Sequence, residues 1–103
     1  MEAGEGLITE AAEATITKVA EAITKKVACN VRELREIACM SMEEAAERGR
    51  MDVNTWREIE AARFDGTIKT LAKVCVALNV DVREVFAPLP GEEWEEECSQ
   101  RLG

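Results

Sequence analysis

Between Asn30 and Phe86 the chain reads NVRELREIACMSMEEAAERGRMDVNTWREIEAARFDGTIKTLAKVCVALNVDVREVF. Apolar residues recur three or four positions apart through most of this stretch, which is the spacing of one face of an α-helix. Short polar residues that favour helix N-termini separate the apolar groups. The stretch therefore predicts five short helices in succession.

Five polar residues are expected to cap these helices, because each side chain can accept a hydrogen bond from a backbone N–H of the first turn. They are Asn30, Ser41, Asp52, Thr67 and Asp81. Ser41 is followed three residues later by Glu44, which completes the pattern of a capping box. Asn79 is suited to the left-handed residue that ends the fourth helix.

The same periodicity predicts which side chains face the core of an all-α domain. We expect inward positions at Val31, Leu34, Ile37, Trp56, Ile59, Ile68, Leu71, Val74, Cys75, Leu78, Val82, Val85 and Phe86. Val53, Asn54 and Arg57 are expected to point outward from the third helix. A core so rich in aliphatic residues suits one small helical domain.

A further amphipathic helix is predicted before this stretch, within residues 1–28. Its apolar residues, which fall on one face, are Ile8, Ala12, Ile16, Val19, Ala20, Ile23 and Val27. Such a face either packs on the core or pairs with the same helix of a second chain. We expect a dimer contact, and the domain proper is assigned to residues 29–86.

Negative charge is concentrated after the domain, in residues 87–103. The chain of 103 residues has thirteen Lys and Arg against twenty-one Asp and Glu, a net charge of −8. The last segment holds five of the acids and one base, and its Pro-Leu-Pro-Gly sequence ends any preceding helix. An acidic run of this kind is typical of a solvated end, although it can also occupy a basic surface on a partner or on the protein itself.

The composition argues against several functional classes. The chain has no histidine and no tyrosine, and its four cysteines, Cys29, Cys39, Cys75 and Cys98, include no CxxC pair. We therefore expect no metal, no cofactor and no enzymatic activity, with the thiols reduced and mostly buried and Cys98 the one candidate for redox sensing. No run of eighteen apolar residues occurs and the N-terminus is acidic, which predicts a cytoplasmic protein outside the membrane.

The order and spacing of the predicted helices resemble those of the lambda-repressor-like, Cro-type helix-turn-helix family, also called the XRE family. The resemblance runs without a gap through residues 30–86. It is carried by NVRELR, by Ser41 with Glu43 and Glu44, by Ala46, Thr55, Ile59 and Glu60, and by TLAKVCVALNVDVREVF. It implies a compact five-helix domain, to which the N-terminal amphipathic helix and the acidic tail are additions.

The resemblance implies a sequence-specific DNA-binding transcriptional regulator that acts as a homodimer on a double-stranded operator. In this family the third helix enters the major groove and reads bases from its N-terminal end. Carried over, the readers are Val53, Asn54 and Arg57, and the residues near phosphates are Arg48, Arg50, Thr55, Arg63 and Thr67. Arg35 and Glu60 match an internal salt bridge of the family. The alternative for each exposed residue is a solvated helix face.

Several residues depart from the family pattern on the predicted DNA face. Met42 stands where the family commonly has a glutamine, and Arg50 stands where it has the turn glycine. Asp52 and Glu58 add negative charge, which disfavours contact with phosphates. These departures support a second interpretation, a degenerate helix-turn-helix module, antitoxin-like or phage-encoded, that binds a protein partner and not DNA.

Three other departures change the volumes of core side chains in compensating directions. Large family residues are replaced by Ala45 and Gly49, whereas an aliphatic position is occupied by Trp56. We expect the indole to fill the vacated space, because cores tolerate substitutions that keep the total volume.

Overall fold

Five α-helices make up the regular structure in the computed structural model, which describes residues 2–64 and 66–89, with side chains from residue 10 onward. They are α1 Glu2–Ile37, α2 Met42–Arg48, α3 Val53–Glu60, α4 Ile68–Leu78 and α5 Val82–Val85. No strand occurs within these ranges, and the all-α prediction is confirmed. The acidic run after residue 89 lies outside the described residues.

Helix α1 runs without a break through Asn30, so the prediction that Asn30 caps a new helix is wrong. The Asn30 side chain is buried, and its amide nitrogen donates to the carbonyl oxygens of Val85 and Ala87 at 2.9 and 2.8 Å. An asparagine amide can bond a distant carbonyl as readily as its oxygen can cap a helix. Asn30 therefore joins α1 to the end of α5, and the expected boundary between residues 28 and 29 falls inside α1.

The other four predicted caps are confirmed: Ser41, Asp52, Thr67 and Asp81 each accept a hydrogen bond from a backbone N–H in the first turn of the following helix. Asn79 adopts the expected left-handed conformation, with φ 55° and ψ 50°. Arg50 is left-handed too, with φ 54°, at a cost of about 1–2 kcal/mol for a residue with a side chain. The turn before α3 thus keeps a left-handed residue without a glycine at that position.

The core is a cluster of buried aliphatic side chains around one tryptophan. Its members are Val27, Val31, Met40, Ala45, Ala46, Trp56, Ile59, Val74, Ala77, Leu78 and Val85. Trp56 and Ala45 are both fully buried in this cluster. A Cβ at Gly49 would lie 2.9 Å from the Lys73 carbonyl oxygen, so only glycine allows α2 to end this close to α4. This packing agrees with the expected exchange of volume between the indole and the two small residues.

Several apolar residues that were expected in the core are exposed. They are Ile37, Ile68, Val82 and Phe86, with exposed fractions from 37% for Phe86 to 81% for Ile68. The error has a common cause, because each residue lies at or beside the end of its helix, where the helix passes beyond the core. Val53 is the opposite case, since it is half-buried against the core and does not point fully outward.

The cysteines also differ from expectation. Cys29 and Cys39 are exposed, so the prediction of buried thiols is wrong for these two, whereas Cys75 is half-buried. Burial raises the pKa of the Cys75 thiol, which makes it less reactive near neutral pH. Cys98 lies outside the described residues.

Two further properties concern the described part of the chain. No group of three or more His, Cys, Asp or Glu residues there is placed to hold a metal ion. No described helix combines the length and the apolar character that crossing a bilayer requires.

The first half of α1 extends beyond the core. Val27 is buried, whereas Ile16, Val19 and Ile23, which precede it on the predicted apolar face, are exposed to 64%, 52% and 46%. Packing on the core is therefore not the role of these three side chains within one chain. Their apolar face is left open to solvent or to a partner.

Trp56→Ala removes the largest fully buried side chain, and we expect it to lower the free energy of unfolding by about 3–5 kcal/mol. The exposed neighbour Thr55 provides the control, because Thr55→Ala is expected to change this free energy by less than about 0.5 kcal/mol. Urea unfolding followed by circular dichroism measures both variants. A Trp56→Ala protein that unfolds like the wild type would contradict the placement of the indole in the core.

Candidate nucleic-acid interface

Helices α2 and α3 form a helix-turn-helix unit in which α3 is the predicted recognition helix. Helix α2 packs against both α3 and α4. The start of α3 is fixed by Asp52, whose carboxylate accepts a hydrogen bond from the Asn54 backbone N–H at 2.8 Å. The short turn and this cap together set where α3 begins relative to α2.

The end of α3 is fixed to α1 by an ion pair. Arg35 donates from Nε to Glu60 Oε2 at 2.6 Å and from Nη2 to Oε1 at 3.0 Å, so the contact is bidentate. The same guanidinium donates to the Met40 carbonyl oxygen at 2.9 Å. The structure thus brings together the two residues that the family resemblance paired.

Glu60 has further donors and is almost completely buried. Trp56 Nε1 donates to Oε2 at 2.5 Å, and Arg32 Nε lies 3.6 Å from Oε1. Burial alone would raise the pKa of Glu60, but the hydrogen bonds from Arg35 and Trp56, with the charge of the two arginines, lower this pKa below its usual value. The hydrogen bond to Glu60 raises the pKa of Arg35. Both partners are therefore charged at neutral pH.

Asn54 and Arg57, two of the predicted base readers, lie together on the exposed side of α3. Arg57 Nη1 donates to Asn54 Oδ1 at 3.3 Å. Arg57 Nη2 lies 3.3 Å from Glu43 Oε1 on α2, and both charged side chains are more than half exposed. The surface presents an amide beside a guanidinium, and these groups make bidentate contacts with adenine and guanine. Val53, the third predicted reader, keeps only part of its side chain exposed.

A second group of predicted residues surrounds the connection between α3 and α4. Thr55 and Arg63 line a cavity of about 190 Å³ there, together with Thr70. Thr67 caps α4, and its hydroxyl accepts a hydrogen bond from the Thr70 backbone N–H at 3.3 Å. The Thr67 hydroxyl is thus engaged within its own helix.

Arg48 and Arg50 belong to a third group. They line a groove of about 260 Å³ with Lys69 and Lys73 of α4. The predicted DNA-contacting residues thus fall into three groups with different neighbours.

The sequence pattern does not predict the pairing of Glu43 with Arg57. The two residues lie on different helices, and periodicity does not reveal the angle at which helices cross. The pattern also misses Arg32, which donates to the Glu60 carbonyl oxygen at 3.2 Å. A signal for this contact exists, because Arg32 precedes Arg35 by three positions and so shares its face of α1.

The arrangement of these helices defines the class of protein. The chain has the fold of the lambda-repressor-like, XRE-type helix-turn-helix domain, as its sequence implied. It is similar to the solved restriction-modification controller protein C.AhdI from Aeromonas hydrophila, with a TM-score of 0.60 and 26% identity over 63% of this chain and 98% of that chain. A point mutant of the restriction-modification controller protein C.Esp1396I has a TM-score of 0.57 and 21% identity over 78% of this chain and 91% of that chain. No family model matches the chain, and no curated protein does.

Removal of the Arg35 side chain would leave the Glu60 carboxylate charged and buried, without the two hydrogen bonds that Arg35 donates. We expect Arg35→Ala to lower the free energy of unfolding by about 3–5 kcal/mol at neutral pH. The pKa of Glu60 is lower in the folded protein than its value of about 4.5 in the unfolded chain. Ionised Glu60 therefore stabilises the fold above about pH 4.5, and this stabilisation is lost as the pH falls through the pKa of Glu60 in the folded protein. The difference in free energy of unfolding between the wild type and Arg35→Ala is therefore expected to decrease as the pH falls below about 4.5.

Arg32→Ala is the matched control, because the Arg32 side chain is 57% exposed and lies farther from the carboxylate. This substitution is expected to lower the free energy of unfolding by less than about 1 kcal/mol. Urea unfolding at a series of pH values measures all three proteins. Equal stability of Arg35→Ala and the wild type at neutral pH would refute the structural role of the pair.

Proposed function

We propose that this chain is a sequence-specific DNA-binding transcriptional regulator of the helix-turn-helix type, comparable in role to the restriction-modification controller proteins that it resembles. One observation carries the proposal: α3 presents Asn54 and Arg57 side by side on an exposed surface of a helix-turn-helix unit. The protein acts in the cytoplasm on double-stranded DNA, and its chemistry is positioning and readout without catalysis.

In this function α3 enters the major groove with its N-terminal end towards the base edges. Asn54 contacts adenine, and Arg57 contacts guanine or a phosphate, while the exposed part of Val53 is suited to a thymine methyl group. Arg57 must first leave Glu43. An exposed ion pair is worth only about 0.2–1 kcal/mol, whereas a bidentate base contact discriminates by about 1–3 kcal/mol, so the exchange favours DNA.

Phosphate contacts are assigned to the flanks of this surface. Thr55 and Arg63 lie on one side, next to the start of α4. Since the Thr67 hydroxyl is engaged in its cap, this helix end is proposed to bind phosphate through free backbone N–H groups. Arg48 and Arg50 form the second set of proposed phosphate contacts, beside α4.

A protein-interaction module is the second candidate function, and one observation favours it. Glu43 neutralises Arg57 at the centre of the predicted DNA face, where Asp52 and Glu58 place two more carboxylates on or next to α3. In that case the helix-turn-helix unit serves as a scaffold, and this mixed-charge face binds a protein.

Fluorescence anisotropy with duplexes selected from mixed genomic fragments tests the proposal. We expect binding that weakens steeply between about 50 and 200 mM salt, because phosphate contacts release counterions. Arg57→Ala is expected to weaken binding by about five- to 150-fold, which corresponds to the loss of one base contact. Arg83→Ala is the control, since Arg83 is an exposed arginine on α5 and its removal changes the net charge equally.

Equal effects of the two substitutions would mean that Arg57 contributes charge and not readout. If the wild type does not bind at low salt, DNA binding is rejected. The next experiment would then be a search for the protein that occupies the Glu43–Arg57 face.

The homodimer is part of the same proposal, and α1 is its proposed interface. Ile16, Val19 and Ile23 form an exposed apolar stripe on the part of α1 that extends beyond the core. Thr15, Thr17 and Thr24 give this half of the helix a low intrinsic propensity, so a packed partner would stabilise it. A second copy of α1 offers the same stripe and forms a symmetric contact.

Val19→Asp is expected to weaken the dimer at least about tenfold, because the charge would be buried between two apolar faces. Ala14→Asp is the matched control, since Ala14 is exposed and lies roughly opposite Val19 on the helix. Sedimentation velocity over a range of concentrations measures the dissociation of all three proteins. A wild-type chain that remains monomeric, or a dimer that both substitutions weaken equally, would remove α1 as the interface.

A further inference from the structure

A basic groove lies between the end of α2 and the outer face of α4. Arg48 at the end of α2 and Arg50 in the turn that follows line it, together with Lys69 and Lys73 of α4, around a volume of about 260 Å³. Its floor is apolar and includes Val76, whose side chain is 72% exposed. We call this feature the α2–α4 groove.

The backbone holds these cations around one groove. Arg48 and Arg50 flank Gly49, where a Cβ would lie 2.9 Å from the Lys73 carbonyl oxygen, so the end of α2 lies directly on α4. Lys69 and Lys73 are four residues apart and therefore share one face of α4. The groove is thus a consequence of the close crossing of two helices.

None of the four cations forms an ion pair with a described residue. The ion pairs in which both partners are described residues are made by Arg32, Arg35, Arg57 and Arg83. Like charges around one cavity repel one another, and no carboxylate lines this groove. A ligand with several negative charges and an apolar group would complement both the cations and the floor.

We infer that the α2–α4 groove binds the acidic segment 92–97 of the same chain. This segment reads EEWEEE and lies beyond the described residues. Its five carboxylates match the four cations, and the indole of Trp94 matches the apolar floor at Val76. An anionic segment with an aromatic side chain is the complement that the groove lacks.

Covalent attachment favours this segment over any free acidic ligand. A chain spans at most about 3.6 Å per residue, so the five residues from Leu89 to Trp94 reach up to about 18 Å. Leu89 follows α5, which packs against α4, the helix that forms one side of the groove. A short tether also gives its ligand an effective concentration in the millimolar range.

The contact is expected to depend on salt. Exposed ion pairs are individually weak and are screened by dissolved ions. The segment is therefore bound at low ionic strength and released at high ionic strength, or when a stronger polyanion takes its place.

Occupation of the groove has a consequence for DNA binding, and this consequence alone rests on the proposed function. Arg48 and Arg50 are proposed phosphate contacts, and a bound acidic segment would neutralise them. The segment would then compete with DNA and lower the apparent affinity of the protein for weak sites.

The contact is tested on the full chain by nuclear magnetic resonance, from nuclear Overhauser effects between the Trp94 indole protons and the Val76 methyl groups. We expect these effects at low salt and their loss at about 1 M salt, where the screening length is about 3 Å. Arg48→Glu with Lys69→Glu is expected to abolish them at low salt. The control, Lys18→Glu with Lys25→Glu on α1, changes the net charge equally and is expected to keep them.

Absence of these effects in the wild type at low salt would overturn the inference. So would their persistence in the groove variant, provided that its circular dichroism spectrum shows it folded. A mixture of isotope-labelled and unlabelled chains tests whether the segment binds the groove of its own chain. Nuclear Overhauser effects between the two kinds of chain would show that it binds a second copy, which would overturn the inference.

The consequence for DNA is tested separately by anisotropy. The variant E92Q/E93Q/E95Q is expected to bind duplex about two- to fivefold more tightly than E10Q/E13Q/E21Q, which raises the net charge by the same amount. Equal affinity would show that the segment acts only through net charge, which contradicts competition at the groove. If no protein binds duplex while the Trp94–Val76 effects are present, the proposed function fails and the groove contact stands.

Discussion

The orientation of α3 depends on one buried carboxylate. Glu60 ends α3, and it receives a bidentate hydrogen bond from Arg35 of α1 and another from Trp56, one turn earlier in its own helix. A buried charge is tolerated only where its donors are correctly placed. The need to satisfy Glu60 therefore fixes both the position of α3 along α1 and its rotation about its own axis.

This rotation divides an eight-residue helix into two functional faces. Trp56, Ile59 and Glu60 are buried, whereas Asn54 and Arg57 are exposed. Each residue of an α-helix turns by about 100°, so a shift of one position would carry Asn54 or Arg57 towards the core. The same packing that stabilises the domain thus decides which side chains are offered to a ligand.

The sequence predicts those features of this fold that depend on near neighbours along the chain. The caps at Ser41 and Asp52 are examples, because donor and acceptor lie within three residues of each other. The role of Asn30 does not follow from its neighbours, because its hydrogen-bond partners lie 55 and 57 positions away. The exposure of Ile68 does not follow from periodicity, which identifies the face of a helix but not where that face passes beyond the core.

The candidate site follows the same division. The family resemblance led to Asn54 and Arg57, and it paired Arg35 with Glu60, because each is a residue type at a fixed position in a known pattern. It gave no indication that Glu43 neutralises Arg57 or that Arg48 and Arg50 share a groove with two lysines of α4. Both facts depend on how helices cross, which a single sequence does not specify.

The continuity of α1 has a consequence for spacing. Its 36 residues correspond to about 54 Å at 1.5 Å per residue, and no loop separates the exposed apolar stripe from Arg35. One inserted residue between them would rotate the stripe by about 100° relative to α3, whereas eleven would nearly restore the original phase. In a dimer formed through that stripe, the number of residues between the stripe and Arg35 would therefore set the separation and the mutual angle of the two α3 helices.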